Sequence, residues 1–206
     1  MNNYKSSIKA LCQLYSMLCA IAMTTLLGNF LPRLSSAELP LMIQDFANCV
    51  ILLLLIIRFF HGNIVFVNKC HFDPATIVPR YMFIDLSFMM IQGLLFNVIS
   101  MMETAKMYDM VIALIFSDAL WMLFVFFLKS RPCPEINPYT LKWMISNFLT
   151  TCIMLICRLL WSQGLVLNII NMVIVLANTI ANVYMNSAFL KTESKCLAAE
   201  REAETK

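Results

Sequence analysis

Apolar residues along this chain come in six long blocks separated by short polar breaks. The blocks run over Ile8–Phe30, Leu41–Phe60, Tyr81–Met101, Met107–Leu128, Leu141–Trp161 and Leu165–Leu190. Each holds about 20 or more mainly apolar residues, enough as a helix to cross roughly 30 Å of hydrocarbon. The helix breakers respect these boundaries. All seven prolines fall between blocks, and of four glycines only Gly93 lies deep inside one, with Gly28, Gly62 and Gly164 at block ends. The pattern therefore predicts continuous helices. It counts against transport folds whose sites are made from broken helices, and against a filter of exposed carbonyls.

The last block is unlike the others. Asn168, Asn171, Asn178, Asn182 and Asn186 recur at helical spacing, and Val175 fills the one gap. At about 100° per residue they form one narrow stripe on an otherwise apolar helix. Such a stripe must turn away from lipid, so it meets either other helices or water.

Composition sharpens the class. The chain is 61% hydrophobic and 13% charged, against about 45–50% and about 25% in soluble domains. The expected fold is an all-α polytopic membrane helix bundle of six transmembrane helices. Residues 1–190 form the membrane domain and residues 191–206 a polar tail. The net charge of +3 is spread along the chain, which excludes a nucleic-acid binder. Twelve Lys and Arg fall in the N-terminus, the second and fourth loops and the tail, and three in the alternate segments. This positive-inside bias places both termini in the cytoplasm, as an even number of spans also requires. A competing reading takes the first block as a signal peptide cut after Ser35-Ser36-Ala37, although the block is longer than the usual signal core.

None of the eight cysteines falls in an expected exterior loop, so no disulfide framework is implied. His61, Cys70, His71 and Asp73 could supply four metal ligands, but their spacing matches no zinc pattern. No P-loop, dinucleotide fingerprint, HExxH or GxSxG is present, so no cofactor is expected.

Polar residues inside the blocks carry the remaining chemistry. Asp85 and Gln92 share a face of the third span, and Asn147 lies in the fifth. Asp118 sits near the middle of the fourth and is the costliest residue in the chain, at least about 2.5–3.5 kcal/mol on insertion scales. Read by the span boundaries, no Lys or Arg is central enough to pair with it. The expectation is a protonated Asp118 hydrogen-bonded to the asparagine stripe, or one serving proton or cation handling. Arg58-Phe59-Phe60-His61-Gly62-Asn63 reads as an interface anchor: Arg58 snorkels, the Phe pair sits at the headgroups, and Gly62-Asn63 ends the helix. The alternative is a cytoplasmic cluster of Arg58, His61, Asn63 and His71. Asn63–Arg80 then forms the longest loop, in which Ile64–Val67 dips into the interface. Arg158 is placed to snorkel or to meet Asp109 or Asp45 at the outer interface.

Phe116-Ser117-Asp118 resembles the Phe-Ser-Asp motif of the lysosomal and bacterial six-span potassium channels. Here it lies in the fourth span rather than the first, with Ile112 in the place of the family's arginine. It carries no function over. Met42–Phe46 and Met144–Phe148 echo one another, as do Arg58-Phe59-Phe60-His61 and Arg158-Leu159-Leu160-Trp161, which raises an inverted three-plus-three repeat.

Three functions fit. The first is a small permeation protein for ions or small polar solutes, assembled as a homo-oligomer, with Asp118 and the stripe lining its path. The second is a structural or signalling membrane protein that assembles through its polar faces and docks a cytoplasmic partner. The third is a lipid-directed enzyme with Asp85, His61, His71 and Cys70 at the inner interface. In each the first partner is the lipid bilayer.

Overall fold

The computed structural model describes residues 2–34, 38–71, 79–102, 104–127, 137–161 and 164–204. Side chains are described for residues 6–33, 38–67, 82–102, 106–127, 140–161 and 164–185. These residues form six helices: α1 (Asn2–Leu34), α2 (Leu39–His71), α3 (Pro79–Ser100), α4 (Thr104–Phe127), α5 (Asn137–Leu160) and α6 (Leu165–Glu204). All six are long and apolar enough to cross a membrane, as a multi-pass membrane protein requires. Pro40, Pro79 and Pro138 sit in first turns, where the missing N–H has no intrahelical partner to lose, and Pro32 lies in the last turn of α1, near its end.

The helices pack as a closed ring in the order α1, α3, α4, α5, α6, α2, with α2 also touching α3 and α4 across the middle. Among the described residues the backbones of α4 and α6, and of α3 and α5, do not approach closely, although Tyr108 on α4 reaches Asn171 on α6, whereas α1–α3 and α2–α6 pack closely. An inverted repeat would pair those contacts, so the short sequence echoes do not reflect a two-fold bundle.

Gly93 explains the α1–α3 approach. A Cβ there would lie 3.0 Å from Leu18 Cδ1, 3.1 Å from Leu18 Cβ and 3.3 Å from Tyr15. With no side chain in the way, Asn97 Nδ2 donates to the backbone carbonyl of Leu18 at 3.0 Å. Small residues and interhelical amides are how helices associate where lipid removes the hydrophobic drive.

The main correction concerns α2. It does not end at Gly62-Asn63 but continues to His71. At 33 residues it is roughly 50 Å long, well beyond the hydrocarbon thickness. The apolar run after Gly62 drives the extension. Phe66 and Val67 are buried, and Phe66 packs edge-on against Trp121 with ring centres 5.3 Å apart. An edge-on aromatic pair contributes about 0.5–1.5 kcal/mol beyond area burial, enough with the neighbouring contacts to offset the ~1 kcal/mol a helical glycine costs. The expected Asn63–Arg80 loop therefore shrinks, and Ile64–Val67 is helical. Arg58 is thereby moved from a helix end into the body of the bundle.

Candidate polar site in the bundle interior

The extension of α2 places Arg58 opposite Asp118. Both are enclosed, at 5% and 7% exposure. Arg58 Nη2 lies 3.8 Å from Asp118 Oδ2 and donates to Asn147 Oδ1. Asn147 Nδ2 in turn donates to Asp118 Oδ2, so the amide bridges the two charges. On the other carboxylate oxygen, Gln92 Nε2 donates to Asp118 Oδ1 at 2.9 Å. Asn63 Nδ2 donates to Gln92 Oε1 at 2.8 Å and to Tyr15 Oη at 2.9 Å. Around the carboxylate, the bonds run donor toward Asp118 from both sides. That polarity suits an ionised acceptor-only group beside a cation that cannot lose its proton.

Arg58 also stands over the ring of Phe59, 5.0 Å from its centre. On one side of this polar layer lies an aromatic cluster of Phe66, Trp121 and Trp143. Phe88 stacks on Trp121 at 6.0 Å, and Trp121 Nε1 donates to Asp85 Oδ1 at 3.1 Å. On the other side Leu55, Ile56, Leu114, Ile115 and Met154 form a dry layer.

Beside the ion pair is a cavity of about 30 Å³, bordered by Arg58, Gly62, Asn63, Asp118, Asn147 and Asn182. That is room for one or two waters or one small ion. Gly62 belongs to it by what it lacks, since a Cβ there would meet nothing within 4 Å. Arg58 Nη1 is buried without a hydrogen-bond partner. A second cavity of about 30 Å³ lies toward the start of α2, bordered by Asn29, Arg33, Asp45, Asn48 and Ser100. Asn48 is ten residues before Arg58, roughly 15 Å along the helix. Ile51, Leu52, Leu55 and Ile56, all buried, occupy the interval.

The asparagine stripe meets protein. Asn168, Asn171, Asn178 and Asn182 are all buried, as is Val175 in the gap. Asn178 uses both ends of its amide: Oδ1 accepts from Ser146 Oγ at 3.0 Å, and Nδ2 donates to Thr150 Oγ1 at 2.7 Å. Asn182 Nδ2 donates back to the carbonyl of Asn178 at 2.8 Å. Tyr108 Oη reaches Asn171 Oδ1 at 3.0 Å and the carbonyl of Met154 at 2.7 Å. The side chain of Asn186 lies outside the described residues.

Several expectations change accordingly. Asp118 is not bonded to the stripe, whose partners are on α4 and α5; its partners are Gln92, Asn147 and Arg58. A central cation does exist. Arg58 does not snorkel, and the cluster of Arg58, His61, Asn63 and His71 is split. Arg58 and Asn63 face inward and His61 is exposed. The side chains of Cys70, His71 and Asp73 lie outside the described residues, so the candidate metal set does too. His61 is exposed while Asp85 is fully enclosed beside Trp121, so these two members of the enzyme reading do not share a surface. Arg158 meets Asp109, with Nε 3.1 Å from Oδ1. The five described cysteines are free thiols.

Sequence reasoning passed over Tyr15, Ser146 and Thr150. Tyr15 was legible as a hydroxyl-bearing ring deep in an apolar span. Ser146 and Thr150 are four apart and face Asn178, a spacing visible once α5 is aligned with α6. Compared with known protein families, curated proteins and solved structures, the chain shows no match.

Proposed function

We propose that this chain is an integral membrane permeation protein for a small polar solute or ion. The Arg58–Asp118 cavity is the occluded centre of its path, and both termini face the cytoplasm. The observation that carries this reading is a small polar cavity bordered by both members of a buried ion pair, Arg58 and Asp118, of which Arg58 keeps one guanidinium nitrogen without a partner. A buried ion pair gains little stability over apolar packing, so stability alone does not account for one. Intramembrane charges instead mark solute and proton pathways. The second polar cavity and the dry layer between the two fit a path closed at its middle. Uncharged amides around the charges suit weak binding of a moving solute. One chain encloses the cluster, so the centre needs no second copy.

Orientation rests on the distribution of Lys and Arg. The side of the cavity lined by Met122 and Trp143, toward the Phe66–Trp121 cluster, is then the cytoplasmic one, and the Asn48 cavity opens toward the exterior.

A structural membrane protein is the second reading. It is favoured by one observation, that Asn178 and Asn171 of the α6 stripe are hydrogen-bonded to Ser146, Thr150 and Tyr108 of the neighbouring helices. Reconstitution separates the two. Liposomes containing the protein should collapse an imposed salt gradient faster than empty ones, with a rate that saturates. Equal leak with and without protein, for salts and for small neutral solutes, would leave only the structural reading.

Gly62 gives a test in which stability and flux move in opposite directions. Gly62→Ala should stabilise the protein by about 0.5–1 kcal/mol, because alanine orders α2 and finds open space. The same methyl group takes up cavity volume, so flux should fall. Thermal unfolding in detergent and liposome flux check the two halves. Higher stability with unchanged flux would place the path elsewhere.

A further inference from the structure

The unmet hydrogen bonding in this bundle is almost all of one kind. Among the described residues, the buried side-chain polar atoms without a partner are Asn48 Nδ2, Arg58 Nη1, Asn168 Nδ2, Asn171 Nδ2 and Thr179 Oγ1. Four of the five are nitrogen donors. The residues that carry two of them border the polar cavities, Arg58 the central one and Asn48 the outer one. What these residues lack is an acceptor.

From this we infer that the solute is a small monovalent anion held on Arg58 Nη1, and that each anion enters with one proton carried on Asp118. The inference rests on the permeation reading and names its substrate class.

Three observations converge on it. The first is saturation. Both oxygens of Asp118 already accept amide donors, and Oδ2 also faces Arg58, so the capacity left on Oδ1 suits a proton and is too little to coordinate a metal cation. A cation would also have to approach a guanidinium, the group that bars cations from other pores. The second is size. About 30 Å³ admits a monatomic or very small anion and no larger organic solute.

The third is charge balance. Arg58 and Asp118 sum to zero. The other groups facing Asp118 are Gln92 on α3, Asn147 on α5 and, across the cavity, Asn182 on α6. Asn63 on α2 links Gln92 to Tyr15 on α1, which also hydrogen-bonds the buried Cys19 thiol, so Tyr15 and Cys19 are the further titratable groups beside the pair among the described residues. An anion arriving alone leaves a net negative charge in a desolvated site, at a cost of several kcal/mol. A proton arriving on an oxygen of Asp118 restores neutrality and releases Arg58 to hold the anion. When the anion leaves, the proton leaves with it and the pair re-forms. Nothing else is consumed, and no net charge crosses.

The test uses the full chain in liposomes containing a pH-sensitive dye, with chloride as the probe and sulfate as the size control. An inward chloride gradient should acidify the lumen, one proton per chloride. A potassium-ionophore voltage clamp should leave the rate unchanged, and sulfate should give no acidification. Chloride entry without acidification overturns the coupling and leaves the permeation reading standing. Proton or cation flux that ignores chloride overturns the anion assignment and also leaves permeation standing. No flux of any kind removes both.

Binding is read separately, by chloride NMR line broadening on the protein in detergent. Broadening should strengthen as pH falls and should be lost in Arg58→Gln. In Asp118→Asn, confirmed as helical and monodisperse, it should persist without pH dependence, with affinity about tenfold tighter at neutral pH. Absence of broadening in the wild-type protein would mean the cavity holds water only, and the proposal would fall.

Discussion

Asp118→Leu, with Arg58 left in place, should destabilise the fold by about 3–5 kcal/mol, measured by unfolding in detergent or bicelles. The cost arises from what stays behind. Arg58 is enclosed in the bundle, and a guanidinium cannot shed its charge to escape. Gln92 Nε2 and Asn147 Nδ2 would also lose their acceptor. Arg58→Met should cost less, because a carboxylate deprived of its cation can take up a proton and persist as a neutral donor. The double variant Arg58→Met/Asp118→Leu should recover most of the loss, since apolar replacement of a whole buried pair is often neutral. The loss in the double variant minus the sum of the two single losses is the coupling energy. Single variants whose losses simply add would mean that the two charges do not interact.

Arg58→Gln should lower flux in liposomes by about 10–100-fold. A hydrogen bond to a charged group is worth about 1.5–3 kcal/mol, and each 1.4 kcal/mol is a factor of ten. Glutamine keeps a donor and much of the stem but removes the charge facing the cavity. Its effect on stability should be the smaller one, for the reason given for Arg58→Met. Function lost with little loss of stability is the signature of a site; the reverse is the signature of a structural seam. Unchanged flux in a folded Arg58→Gln protein would remove Arg58 from the path.

The fold was largely readable, and the reason is periodicity. Long apolar blocks bounded by proline and glycine place α3, α4, α5 and the start of α6 within a few residues, because few other structures can satisfy the backbone inside lipid. The buried stripe on α6 was readable for the same reason, as amides at helical spacing on one face. The centre of the site was not, and the failure comes from one boundary. Arg58-Phe59-Phe60-His61-Gly62-Asn63 combines an interface anchor with a helix stop, and local signals favour ending α2 there. The burial of Phe66 against Trp121, a contact fifty-five residues apart in sequence, outweighs them. Tertiary packing of this kind leaves no trace in the local pattern of α2. Once the boundary moves, Arg58 becomes the missing central cation, and the expectation of a neutral Asp118 bonded to α6 gives way to an ion pair bridged by Asn147.

The most direct measurement of whether this centre belongs to a path is its accessibility to water. Asn182→Cys, in a background with the native cysteines replaced, puts a thiol on the border of the Arg58–Asp118 cavity. A permeation centre must open at least transiently to each side. The thiol should therefore react with a small membrane-impermeant reagent added to either face of sealed proteoliposomes, more slowly than an exposed control thiol, and chloride should slow the reaction. A thiol that stays unreactive from both faces, in a protein shown to be folded and inserted, would contradict the account and leave Arg58, Asp118 and their amides as a structural core.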